Sequence, residues 1–315
     1  MKKIVVLVGV LWLVGCKYSV NSQVENIQIT VNQVKEHVEF LASDDLHGRN
    51  TGTEGIEKAA KYIENIFIKN NIKPYFQTYR DSFNAKDVVG YNILGYIEGN
   101  DRKLKHEFVV LGAHYDHIGT GKLVDGDSIA NGANDNAAGT SAVIELAKYF
   151  ASTKSNKRSI LIALFSAEEM GLLGSNHLAK KLHGQNIDLY TMLNFEMIGV
   201  PFKDRNYVSF VTGYELSNMS DKINEYASSN FTGFSEVSKK YNLFRQSDNY
   251  AFYSEFKLPC QTISTCDLSN YDYYHHVDDE ADKLDYEHMA SFVNKVIPAI
   301  EAMCNTATKE IKMHE

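Results

Sequence analysis

Acid and imidazole side chains recur along this chain beside apolar, strand-like runs, and their types and order could build a two-metal hydrolytic site. They are His114 in GAHYDHIG, Asp135 in GANDNAAGTS, Glu168 and Glu169 in FSAEEMGLLGS, Glu196 in NFEMIG and His275 in YYHHVDDEADKLD. Carboxylates and imidazoles at such places are costly to bury unless something positive is bound between them. Such a site needs imidazole or carboxylate ligands for each ion and one carboxylate shared by both. It also needs a carboxylate left free to take a proton from water. The chain offers a candidate for each role. His117 competes with His114, and His276 with His275.

The elements around these residues follow from periodicity. Thr30 and Gln33 have the spacing of a capping box, and Val31, Val34, Val38 and Leu41 follow at helical intervals. A second helix is predicted over residues 54–70, with further helices over 139–150, 172–182, 215–228 and 285–304. Strand-like runs occupy 88–97, 108–113, 159–165, 190–195, 207–212 and 261–265. The run at 159–165 is continuously apolar after Ser159, as a strand covered on both faces requires. Alternating strands and helices predict an α/β sandwich around a mostly parallel sheet. Ligands of such sheets lie beyond the carboxyl ends of the strands. His114, Glu168, Glu169 and Glu196 all fall there.

The 315 residues are 44% hydrophobic and 23% charged, an ordinary globular composition, and no linker or repeat divides them. One catalytic domain over residues 30–315 is therefore expected. The net charge of −8 argues against a nucleic-acid partner. Lys2 and Lys3 precede the apolar run IVVLVGVLWLVG, too short for a comfortable membrane span. Residues 1–15 thus read as an export signal and 16–29 as a tether. Leu13-Val14-Gly15-Cys16 resembles a bacterial lipobox, which implies acylation of Cys16, membrane attachment and a place in the cell envelope. Cys260 and Cys266 flank a strand-like segment and would lie roughly 20 Å apart, too far for a bridge.

In order and context, the motifs resemble those of the co-catalytic zinc aminopeptidases of metallopeptidase clan MH, the group of bacterial leucyl aminopeptidase and aminopeptidase Y. The resemblance runs from FLASDDLHGRNTGTEG, which begins at Phe40, to DKLD, which ends at Asp285. It implies a three-layer α/β/α fold and two zinc ions held by His114, Asp135, Glu169, Glu196 and His275, with Asp135 bridging. Glu168 is then the general base, Asp116 the group orienting His114, and Asp279 a partner behind His275. The implied substrates are peptides with a free amino terminus. His117 falls outside the family's ligand position and is expected in the loop or behind the ligands. The chain has Glu196 where the family commonly has Asp, and Asn249 in Ser247-Asp248-Asn249 where it has His. Ser247 to Asn249 are expected at the rim or in a pocket wall. The stretches 44–49 and 51–55 are expected to form a structural loop between two helices. The same fold also serves single-zinc glutaminyl cyclases, carboxypeptidases and metal-free peptide-binding relatives.

Overall fold

The structure, a computed structural model, describes residues 27–315. The predicted signal and the lipobox cysteine Cys16 lie outside the described residues. Ile29, expected to be tether, belongs to the fold. Its side chain is buried and its backbone exchanges hydrogen bonds with Asn294 at 3.0 and 2.7 Å.

Helix α1 (Val31–Leu41) starts at Thr30, where the capping box forms with Gln33 and satisfies two otherwise free N–H groups. A tight turn over Asp44–Arg49 leads to α2 (Glu54–Lys69), then to β1 (Lys73–Pro74), β2 (Arg80–Ala85), β3 (Val88–Ile97) and β4 (Glu107–His114). A hairpin of β5 (Gly119–Val124) and β6 (Asp127–Ala130) precedes α3 (Gly139–Thr153). After β7 (Ser159–Phe165) come α4 (Leu173–Gly184), β8 (Asp188–Phe195), β9 (Ser209–Val211), α5 (Met219–Ala227), β10 (Thr232–Gly233) and α6 (Glu236–Lys240). The chain ends with α7 (Asn249–Phe256), β11 (Cys260–Ser264) and the long α8 (Tyr286–Asn305).

The main sheet has the order β1-β3-β7-β4-β8-β11-β9-β10, with β2 paired to β3. Its centre, β7-β4-β8-β11, is parallel, and β3 and β9 join it antiparallel. This is the mostly parallel mixed sheet expected from the sequence. Because side chains alternate along a strand, each central strand feeds two cores. Val109, Leu111, Ile160 and Ile162 join α1, α2, α3 and α8 on one face. Val110, Leu161 and Met192, side by side in register, join Leu178 of α4 and Phe252 of α7 on the other. Each such apolar side chain contributes about 1.5–3 kcal/mol by leaving water. These two cores fix the carboxyl ends of β4, β7 and β8 beside one another, and His114 pairs in register with Phe165.

Cys260, Cys266 and Cys304 are unbonded and buried.

Candidate active site

His114 is the last residue of β4, Glu168 and Glu169 follow β7, and Glu196 follows β8. Asp135 enters from the turn before α3, and His275 from the loop before α8. The turn at Asp135 depends on Gly132, which has φ +60°. A Cβ there would lie 2.3 Å from the Asp135 carbonyl oxygen and 2.4 Å from the His117 ring. Ala167, Met197 and His275, each next to or within the candidate set, also have positive φ. Non-glycine residues hold such angles at a cost of about 1–3 kcal/mol each, sustained where the surrounding packing over-determines them.

The structure brings most of the expected ligands into one cluster. His114 Nε2 lies 3.3 Å from Asp135 Oδ1, and His275 Nε2 lies 3.3 Å from Asp135 Oδ2 and 2.9 Å from Glu169 Oε2. Among the described residues, His114, Asp135 and Glu169 offer ligand atoms all within 4.8 Å of one another. His276 turns away and accepts a hydrogen bond from the Asp278 backbone. His117 is drawn in further than a loop residue would be. It is buried, with Nδ1 2.9 Å from Glu169 Oε1 and 3.7 Å from Asp135 Oδ2. Glu196 stands to one side, and the Ser247 hydroxyl donates to its carboxylate.

The supporting residues differ in part from expectation. The Asp116 backbone carbonyl, rather than its carboxylate, meets His114 Nδ1, at 3.2 Å. The Asp116 carboxylate instead accepts from the Glu168 backbone N–H at 3.2 Å. Asp279 does not orient His275. Its carboxylate accepts from the backbone N–H groups of Asn134 (2.7 Å) and Asp135 (3.0 Å) and from the Tyr271 hydroxyl (2.6 Å), so it fixes the Asp135 turn. Asn136 ties that turn to the Glu196 segment, donating to the Phe195 carbonyl and accepting from the Met197 N–H. Asp248, expected at the rim or in a pocket wall, is fully buried, and neither carboxylate oxygen has a hydrogen-bond donor among the described residues.

Electrostatics divides these acids. Burial alone would raise Asp135 and Glu169, yet the imidazoles of His114 and His275 hold Asp135 well below its usual value, and those of His117 and His275 lower Glu169. Burial raises Glu168 well above the carboxylate range, reinforced by Glu196, Asp248 and Glu169. No basic side chain among the described residues lies within ion-pair distance of the Glu168 carboxylate. Adjacent in sequence, Glu169 is paired and Glu168 is free.

The donor set suits a zinc-type cation on its own chemistry. Imidazole nitrogens and carboxylate oxygens converge, and His117 Nε2 is buried with no hydrogen-bond or ion-pair partner among the described residues. Unpaired buried polar atoms cost about 1–3 kcal/mol each, a cost that ligation removes.

Beside Glu196 a cavity opens, lined by apolar Met197, Phe210, Leu243 and Leu268, by Tyr274, and by uncharged polar residues that include Thr212, Gln246 and Ser247. Glu196 is its carboxylate, and no lysine, arginine or histidine among the described residues lines it. Tyr274 stacks on the His275 ring at 4.0 Å between centroids.

Comparison with known proteins agrees with this geometry. A probable zinc metalloprotease of Pyrenophora teres f. teres is 30% identical over 190 residues, 58% of this chain and 38% of that protein, so the match spans under half of the relative's length. A zinc aminopeptidase from Bacillus subtilis superposes with a TM-score of 0.69 at 15% identity, covering 91% of this chain and 98% of that one. A Bacteroides thetaiotaomicron glutaminyl cyclase superposes with a TM-score of 0.65 at 17% identity, covering 87% and 98%. At these identities the likenesses establish the fold. The description "Peptidase family M28" matches residues 92–300, a stretch that carries His114, Asp135, Glu168, Glu169, Glu196 and His275. The chain belongs to peptidase family M28.

Proposed function

We propose that this protein is a zinc-dependent aminopeptidase that removes single residues from the amino ends of peptides. The observation that carries the direction is the charge of the cavity beside the ligand cluster. Its acidic side chain is Glu196, and the rest of its wall mixes apolar residues with uncharged polar ones such as Thr212, Gln246 and Ser264. A carboxylate there attracts the ammonium group of a peptide's first residue. A carboxypeptidase needs a cation for the terminal carboxylate, and the cavity lining has none.

His114, Asp135, Glu169, Glu196 and His275 would hold the zinc, with Asp135 shared if two ions bind. Bound zinc supplies a water of lowered pKa and polarises the scissile carbonyl. Glu168 takes a proton from the attacking water as the water oxygen bonds to the carbonyl carbon. Its raised affinity for a proton, caused first by burial, lets it hold that proton. It then passes the proton to the amine nitrogen as the C–N bond breaks, leaving a free amino acid and a shortened peptide. Met197, Phe210, Leu243 and Leu268 receive an uncharged, apolar first side chain.

The test compares free and N-acetylated versions of one peptide with an aliphatic first residue. Cleavage confined to the free peptide is expected. Release of residues from the carboxyl end of the acetylated peptide would reverse the assigned direction. Cyclisation of a Gln-initiated peptide without hydrolysis would replace the reaction.

Membrane attachment through an acylated Cys16 is the second part of the proposal, and it rests on Leu13-Val14-Gly15-Cys16 following an apolar run. Cys16→Ser should release the protein from membranes or leave an unprocessed precursor. Recovery of all the wild-type protein in the soluble exported fraction would refute it.

A further inference from the structure

Arg49 is fully buried, yet it has no carboxylate within ion-pair distance among the described residues. Its guanidinium is spent on backbone carbonyls. Nε donates to Tyr115 O at 3.0 Å, Nη1 to Asn131 O at 2.6 Å and to Leu41 O, and Nη2 to Gly132 O at 2.9 Å. Tyr115 directly follows the ligand His114, and Asn131 and Gly132 open the turn that carries Asp135. One side chain therefore spans the two loops that must approach each other for His114 and Asp135 to meet.

Thr51 reaches the third loop. Its hydroxyl accepts the Ala167 N–H at 2.9 Å, one residue before Glu168, and lies 3.4 Å from Asp116 Oδ2. Between them, Asn50 donates to the Ile118 carbonyl at 2.7 Å. Gly48, at φ +64°, lets the segment lie flush on this floor, since a Cβ there would sit 2.3 Å from Ala130 O. This short stretch thus touches the loops of His114, Asp135 and Glu168 at once, and it lies outside the matched family region of 92–300.

We propose that Arg49, assisted by Thr51, is a positioning residue for the metal ligands and the base. It is a fixed planar clamp that sets the spacing of the His114, Asp135 and Glu168 loops. A lysine in its place keeps the charge but cannot fork to carbonyls on two loops. Geometry, not charge alone, is what the clamp supplies. The proposal rests on reading the cluster as a metal site.

The experiment measures zinc affinity by chelator competition, and the visible absorption spectrum of the cobalt-substituted protein, for wild type and Arg49→Lys. The expected result is a zinc affinity weaker by ~10- to 100-fold, the range for residues that orient metal ligands, together with an altered cobalt spectrum. Thr51→Val should lower kcat with KM and zinc content unchanged, and Thr51→Ser should restore it. Wild-type protein that takes up no zinc overturns the metal reading and the clamp with it. Wild-type protein that binds zinc, beside a folded Arg49→Lys with the same affinity and spectrum, overturns the clamp alone. If Arg49→Lys fails to fold, the Thr51 pair decides, and wild-type kcat in Thr51→Val overturns the proposal.

Discussion

Glu57 and Glu64 on α2 share the guanidinium of Arg80 on β2, at 2.7 and 2.8 Å, whereas part-buried Glu168 and Glu196 and buried Asp248 have no lysine or arginine within ion-pair distance among the described residues. The Arg80 hydrogen bonds hold Glu57 down at about 2. Burial pushes Glu196 up to about 7 and Asp248 up to about 6. The same functional group is thus treated in opposite ways within one molecule. Where carboxylates only join a helix to a strand, the protein supplies the cation. At the carboxyl ends of β7 and β8 it leaves them uncompensated, which costs stability and keeps them available to a proton, an ammonium group or a metal. Local conflict of this kind is expected at functional sites.

The largest effect that tests this contrast is catalytic. Glu168→Gln keeps the shape and removes the free carboxylate. It should lower kcat by ~10²- to 10⁴-fold, the range for general-base catalysis. Its melting temperature should match or exceed that of wild type, because a part-buried, unpaired acid is gone. Turnover near the wild-type rate would show that the unpaired carboxylate is not the base.

The second effect is the cation itself. If the ligand cluster is completed from solution as Arg80 completes Glu57 and Glu64, zinc at a hundred-fold excess over its Kd should stabilise the fold by about 2.7 kcal/mol. A chelator should reverse the gain. A melting curve indifferent to both would mean that the cluster is only a histidine–carboxylate network.

The two regions were unequally legible in the sequence. His114, Glu168, Glu169 and Glu196 stood out because they follow apolar strands, and β7 matched its predicted run residue for residue. α1 was marked by its capping box. β2 passed unseen because RDSFNA carries polar residues on both faces, with Asp81 buried beside Phe83. α7 passed unseen because NYAFYSEF is aromatic on several sides and shows no clear apolar stripe. The β5–β6 hairpin is largely exposed or half-buried, with no regular alternation to read. Asp279 was recognised as a supporting group but assigned to the wrong neighbour. Which backbone it meets depends on how the loop before α8 folds over the Asp135 turn, and spacing along the chain does not encode that. Arg49 was hidden for a similar reason, since all its acceptors are carbonyls brought together by tertiary structure.

The smallest effect concerns the compensated pair and acid stability. Glu57 has a folded value of about 2, below its ordinary 4.5. A depressed carboxyl contributes stability that is fully present above its unfolded value and is lost as pH falls through its folded value. The window here is therefore from about 4.5 down to about 2. Side-chain exposure of 33% for Glu57 and 27% for Arg80 means that solvent screens the pair, so a contribution of about 1 kcal/mol is expected rather than the full value of the shift. Urea unfolding of chelator-treated protein at pH 5 and pH 2.5 measures it. Glu57→Gln should lower stability by about that amount at pH 5 and by roughly a quarter of it at pH 2.5, where the unfolded-state carboxyl is protonated while the folded one, at about 2, is still mostly ionised. Chelator treatment keeps metal release at the ligand cluster from adding its own pH dependence. An equal loss at both values would mean that Glu57 acts through packing on α2 and not through its charge, and Arg80 would then no longer serve as the internal counterpart of the cation at the site.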